Sequence, residues 1–221
     1  MPPSPEPARS RLIAAGERLF AERGIDNVSL RELSRAAGAR NVVALQHHFT
    51  DRDGLLTAIL QKHLVRVEAR RHQILDDCLD SSGDGADLPL PELAAALVDP
   101  WAQCLVDEDG GRHYLRIFVE LVNRPRPYGP PSLDDRTGSL ERWITLVDPK
   151  LSAQQRRLHR RYAATLYVTT ELARWARSSG EPDVPLISAS LSDLVVAMLT
   201  APVSATTSAF LAQKAATPGA Q

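Results

Sequence analysis

The chain has 221 residues, of which 43% are hydrophobic and 24% charged, the balance of an ordinary globular protein. With a net charge of −1 it is not coated in basic residues, and no apolar run approaches the roughly 20 residues that span a bilayer. Aromatic residues make up only 5%, so Leu, Val, Ile and Ala must fill most of the core.

Residues 1–8 of MPPSPEPARS lack the apolar stretch of a secretory signal and read as a disordered tail, which leaves the cytoplasm as the expected compartment. RLIAAGERLFAERG then places Leu12, Ile13, Gly16, Leu19 and Phe20 on one helical face and stops at Gly24. Ser29 and Glu32 have capping-box spacing, and Leu30, Leu33, Ala36 and Ala37 continue an apolar helical face as far as Gly38. A second short helix is expected from about Asn41 to His47. Val42, Leu45 and Phe49 share its buried side, and Arg40, Asn41, Val43, Ala44, Gln46 and His47 remain. That set suits the major groove, where Arg pairs with guanine, Asn or Gln with adenine, and Ala or Val meets a thymine methyl. The spacing fits an ordinary helical hairpin equally well. Residues 1–63 carry nine Arg or Lys against seven Asp or Glu, so the positive charge is local, at Arg31, Arg40 and Arg52.

From a helix start at Thr50–Asp53, the pattern Leu55, Leu56, Ile59, Leu60, Leu64, Val67, Leu75 runs to a Gly- and Pro-rich loop at residues 81–91. A helix from about Glu92 to Val106 contains Pro100, which should kink or break it. The run Tyr114, Leu115, Phe118, Val119, Leu121, Val122 is apolar nearly all round and is expected to be the central helix. NRPRPYGPPS at residues 123–132 is too rich in proline for helix. Leu140, Trp143, Ile144 and Val147 mark a short helix, and Ser152 with Gln155 caps one expected to continue to about Ser178. Pro185 suits the first turn of the last long helix, and Pro202 should bend or end it. With no alternating strand pattern, the fold class is all-α, with about nine helices.

Cys78 and Cys104 have no metal or redox spacing and read as small buried hydrophobes. Arg156, Arg157, Arg160 and Arg161 read as a solvated face or, alternatively, as part of a pocket for an acidic ligand. No phosphate loop, catalytic constellation or metal cluster is recognisable, so neither an enzyme nor a cofactor is expected. A helical adaptor, or an enzyme using a C-terminal cavity, remains the alternative on helix pattern alone.

Leu19-Phe20-Ala21-Glu22-Arg23-Gly24, Ser29-Leu30, Leu33, Ala36-Ala37-Gly38, His48-Phe49 and Arg52-Asp53 with Leu55-Leu56 together resemble the N-terminal DNA-binding domain of the TetR family of transcriptional regulators. Two departures bear on the base contacts and on one phosphate contact. The segment from Gly38 to Phe49 is one residue longer than in most members, and His47 stands where tyrosine is usual. The resemblance implies a three-helix helix-turn-helix domain, here residues 9–53, and a larger helical effector-binding and dimerisation domain, residues 54–214, before a tail at 215–221. It implies a repressor that binds a palindromic double-stranded DNA operator as a homodimer and is released by a small, mainly apolar effector. Base reading is assigned to Arg40, Asn41, Val43, Ala44 and Gln46. Phosphate contacts are assigned to Ser29, Arg31, His47, His48 and Arg52. The family's effector cavity would be lined by Trp101, Phe118, Leu121, Trp143, Tyr162, Thr165 and Thr169.

Overall fold

A computed structural model describes residues 5–38, 47–82, 88–124 and 138–216. Among these the chain forms ten α-helices, three short 3-10 turns and no strand. Arg40, Asn41, Val43, Ala44 and Gln46, the residues expected to read bases, lie outside the described residues.

The N-terminal head is built from local signals. Helix α1 (Pro5–Arg23) buries Leu12, Ile13, Leu19 and Phe20. It carries Gly16 on the same side, where an added Cβ would lie 3.0 Å from Ile59 and 3.1 Å from Leu55, so the glycine lets the next long helix approach. Gly24 ends α1 at φ 85, a conformation open to glycine without steric cost. Helix α2 (Leu30–Ala36) starts on Ser29, buries Leu33 and is closed by Gly38 at φ 68. Residues 47–49 are helical, and Phe49 is buried.

Helix α3 (Arg52–Ser82) has 31 residues, about 46 Å of helix, and runs unbroken from the head into the body. The domain boundary expected at residues 53 and 54 therefore falls in its first turn. The body adds α4 (Leu90–Ala102), α5 (Gly111–Val122), α6 (Ser139–Val147), α7 (Ala153–Arg157), α8 (Arg160–Trp175), α9 (Val184–Thr200) and α10 (Ala205–Ala216).

The central helix is α4, not α5. Eight of its thirteen residues are buried, among them Ala94, Ala96 and Ala102, and α3, α6 and α9 all pack on it. Its alanines let several neighbours come close, whereas α5 must keep Arg112, Arg116 and Glu120 toward its edge. Pro100 does not break α4, which continues to Ala102 before a 3-10 turn at Gln103–Leu105. The proline cannot donate to the carbonyl of Ala96, and the Nε–H of the buried Arg71 takes that place at 3.2 Å.

The helix expected from Ser152 to Ser178 is two helices. Ser152 and Gln155 do form a capping box, but α7 ends after Arg157 and His159 turns left-handed at φ 52. Arg156 donates to the carbonyls of Asp148 and Leu151, and Arg157 to that of Leu211. This holds α7 against the preceding turn and α10 rather than in line with α8. Asp183 caps α9 by accepting from the Leu186 N–H at 3.0 Å. Beyond Pro202, α10 leaves α9 at 58°. Among the described residues no single helix is long and apolar enough to cross a membrane.

Candidate nucleic-acid interface

Ser29 opens α2 with a reciprocal box. Its hydroxyl accepts from the Glu32 N–H at 3.3 Å and donates to Glu32 Oε2 at 2.7 Å, and the Ser29 N–H donates to the same carboxylate at 2.9 Å. These bonds, with Arg23 Nη1 at 2.7 Å from Glu32 Oε1, pull the Glu32 carboxyl down to about 2, the Ser29 backbone bond contributing most. Ser29 is thus committed to capping beside a fixed negative charge, which works against a phosphate at that hydroxyl.

Arg31 is exposed and makes no ion pair among the described residues, so its charge is free for an anion. Beyond residues 39–46, His47 is exposed and His48 half-buried, with their rings edge to face at 5.3 Å. Arg9 lies over the Phe49 ring at 5.3 Å, a cation–π contact that ties the start of α1 to the end of that segment. Arg52 is half-buried at the first position of α3.

The turn from Phe49 into α3 is sterically defined. Thr50 takes φ 63, which costs a β-branched residue about 1–2 kcal/mol. Asp51 Oδ1 accepts from the Gly54 N–H at 2.8 Å, and a Cβ at Gly54 would collide with the Phe49 carbonyl. Direction is therefore transmitted from residues 47–49 into α3 through a turn with little freedom.

The head is fastened to the body by buried polar groups that no sequence motif singles out. Glu17 of α1, 2% exposed, accepts from Lys62 Nζ at 3.0 Å and meets His63 Nε2 at 2.8 Å, both on α3. Lys62 also reaches the carbonyl and carboxylate of Asp109, each at 2.8 Å, and that bond holds the Asp109 carboxyl below its usual range. Gly110, at φ 92, passes so close that a Cβ there would strike Glu17. A second fastening joins the Ile25 N–H to Glu120 of α5 at 3.1 Å, with Arg124 on Asp26 at 2.9 Å. Nothing at sequence level separates these charges from a solvated helix face. Gly110-Gly111 is the one local sign of close approach.

The seven residues expected around an effector do not converge. Trp101 and Phe118 pack at 4.6 Å, and Tyr114 lies parallel to Trp101 at 5.8 Å. Leu121 belongs to the apolar core. Trp143 is fully buried, and its indole N–H donates to the Leu93 carbonyl at 2.6 Å. Tyr162 is 61% exposed and points away from the core. The hydroxyls of Thr165 and Thr169 donate to carbonyls one turn back on their own helix, so they are not free handles. Four clefts of about 430–490 Å³ open on the described surface, and none of these four is lined by any of the seven. One of them lies between α3 and the 3-10 turn after α4, beside the head fastening, with His63, Arg66, Arg70, Cys104 and Asp107 in its wall. Cys104 is inert there, its thiol pushed up to about 12 by burial. Among the described residues no three His, Cys, Asp or Glu side chains converge as metal ligands.

Residues 12–59 match the family model of bacterial regulatory proteins, tetR family. Among solved structures, the chain superposes on the probable transcriptional regulatory protein RHA5900 with a TM-score of 0.53 and 22% identity, covering 88% of this chain and 100% of that one. It superposes on an alanine-substituted HlyIIR mutant with a TM-score of 0.53 and 15% identity, covering 91% and 100%. NalD, the secondary repressor of the MexAB-OprM multidrug efflux pump in Pseudomonas aeruginosa, gives a TM-score of 0.51 and 21% identity, covering 90% and 100%. No curated protein matches by sequence. At these identities the solved structures establish the fold of head and body together. The likeness to bacterial regulatory proteins of the tetR family rests on residues 12–59, where the motif residues form a capped α1–α2 head leading into α3, and it is this N-terminal domain that the family model matches.

Proposed function

We propose that this DNA-binding regulator is a cytoplasmic repressor that grips a palindromic operator as a homodimer and releases it when a small effector enters the helical body. The observation that carries the reading is α3, a single helix that starts one turn beyond the reader segment and is clamped to α1 by Glu17, Lys62 and His63. Any displacement of its body end reaches the head without a flexible link. Release requires the effector to favour the DNA-incompetent dimer, because equal affinity for both states shifts nothing. Two reader helices must be about 34–36 Å apart, or a multiple of that, to enter successive major grooves, so a small rotation of α3 suffices to spoil the match.

Dimerisation is supported by α9. Leu186, Ser190, Leu194 and Ala197 are exposed along one stripe of that helix, with Leu186 at 65% and Leu194 at 42%. The small Ser190 and Ala197 beside the leucines suit close helix–helix packing. In this reading Arg40, Asn41, Val43, Ala44 and Gln46 read bases. Arg31, His47, His48 and Arg52 hold phosphates, with Ser29 chiefly a cap.

The test is selection of bound DNA from a random pool, followed by titration of the selected fragment. A palindrome bound by two chains is the expected result, and a monomer bound to an asymmetric sequence would overturn the dimer. Arg52→Gln should weaken binding to all sequences alike and lower the salt slope by about one. Gln46→Ala should relax preference at one symmetric pair of positions, at a cost of about 1–3 kcal/mol in discrimination.

A further inference from the structure

A cleft of about 490 Å³ opens where the end of α1 meets α5 and the end of α8. Ala21 and Gly24 form its head side, and Arg116, Asn123, Thr170 and Arg177 stand on its body side. Arg116 is half-buried on α5, and Arg177 is exposed just past the end of α8. Arg112, one turn before Arg116, holds the two elements together. Its Nη2 donates to the carbonyls of Trp175 at 3.2 Å and Ser178 at 2.8 Å, on either side of Arg177 in the chain. The end of α8 is thus clamped to α5 with two guanidinium groups in one wall.

Neither cation has a carboxylate of its own. Among the described residues Arg116 makes no hydrogen bond or ion pair, and its Nε is buried without a partner. Arg177 makes no ion pair and donates to the Ala173 carbonyl at 3.3 Å. Burial, and after it the charge of Arg177, lower the Arg116 pKa from its usual range. Glu22 offsets part of this, but its carboxylate lies 3.8 Å from Arg18. Glu120, the one acid among the described lining residues, accepts from the Ile25 N–H at 3.1 Å and from Arg124 at 3.4 Å. Like charges held in one wall destabilise each other, and an anion between them removes that cost.

We infer that this cleft binds a small sugar phosphate, with Arg116 and Arg177 holding the phosphate. A phosphate monoester carries a charge of about −1.5 to −2 at pH 7, which matches two guanidinium groups, whereas a carboxylate leaves one uncompensated. Arginine meets phosphate oxygens with paired N–H donors. The Thr170 hydroxyl, exposed and without a hydrogen bond among the described residues, adds a donor. Asn123 spends its Nδ2 on the Val119 carbonyl at 2.8 Å, which leaves its Oδ1 to accept from a ligand hydroxyl. The volume is on the scale of a small-molecule site rather than of a bare ion. The inference goes beyond the effector-responsive reading and stands without it. A ligand here touches head and body at once, beside the fastening of Ile25 to Glu120.

The experiment titrates the full chain with ribose 5-phosphate, ribose and inorganic phosphate by calorimetry at low ionic strength. Ribose 5-phosphate is expected to bind at least about tenfold tighter than either of the others. It should also slow amide exchange at residues 21–25 and 116–123, on both sides of the cleft. Arg116→Gln and Arg177→Gln should each weaken it by about tenfold or more. Without ligand, Arg116→Gln should keep or raise the melting temperature, since it deletes a charge that has no partner, and this separates a ligand role from a structural one. The exposed Arg177 supplies a second variant that leaves the core intact. Ribose 5-phosphate binding no tighter than ribose, or unweakened in Arg177→Gln, overturns the inference. Inorganic phosphate binding as tightly as the ester strikes the sugar and leaves an ion site only, which overturns it as stated. Binding lost in Arg52→Gln and kept in both cleft variants assigns the anion to the DNA-facing side and overturns it too.

Discussion

Helices α2 and α4 are held in place by opposite means. Every polar contact that defines α2 comes from nearby in the chain: Ser29 and Glu32 cap it, Arg23 pairs with Glu32 nine residues away, and Gly38 closes it. These groups are at the surface. Helix α4 starts from Pro89 with no side-chain cap and is mostly buried. The Ala96 carbonyl that Pro100 leaves open is satisfied by Arg71, 25 residues away, and the Leu93 carbonyl receives Trp143, 50 residues away. An exposed helix end can be completed by its neighbours or by water. A buried one needs donors brought in from elsewhere, so its stability depends on residues that no local pattern marks.

The contrast predicts a ladder of effects. Arg71→Met should be the most damaging change, because it leaves Ala96, Glu68 and Ser139 without their shared donor. Breaking a buried charged cluster of this kind costs about 3–5 kcal/mol, read as a lower urea midpoint at unchanged m-value. A loss below about 1 kcal/mol would mean that α4 tolerates its proline unaided.

Trp143→Phe should come next. It removes one buried hydrogen bond and part of a ring, at a cost of about 2–4 kcal/mol. The loss should be seen in global unfolding and leave DNA affinity near wild type. A selective loss of DNA binding instead would place α6 on the signalling route rather than in the scaffold.

Ser29→Ala tests the other side of the contrast. An N-cap is typically worth about 1 kcal/mol, and here the damage should stay local, appearing as faster amide exchange in α2 with little change in the body. If the body exchanges faster as well, the head is not the locally completed unit that its contacts describe.

The smallest effect is a pH dependence. The Glu32 carboxyl is lowered from 4.5 to about 2. The stability it contributes is therefore complete above pH 4.5 and is lost as pH falls toward 2. The group lies at the surface, so the effect should be slight and screened by salt. Comparing acid titrations of wild type and Glu32→Gln by α2 amide exchange should show a shallower acid limb in the variant.

Whatever depends on neighbours within a turn or two was legible in the chain. The capping boxes at Ser29 and Ser152, the stops at Gly24 and Gly38, the start of α3 near Asp51 and the all-α class are of this kind. Apolar periodicity also placed the buried faces of α1 and α3, because spacing alone decides which side chains share a helix face. It did not say which helix is central, since α4 and α5 are both rich in apolar residues and only packing shows that the alanine-rich one takes the middle. Nor could it show that Thr165 and Thr169 commit their hydroxyls to their own helix, or that Tyr162 faces outward.

The fate of the charges, above all, was settled by the way the helices meet. Glu17, Lys62, His63 and Arg71 look like members of ordinary solvated helix faces in the chain. They become fastenings between head and body, or buried donors, only because α1, α3, α4 and α5 come together around them. The pairing of a buried polar group is set by what lies opposite it in space, and that partner can be any distance away along the chain.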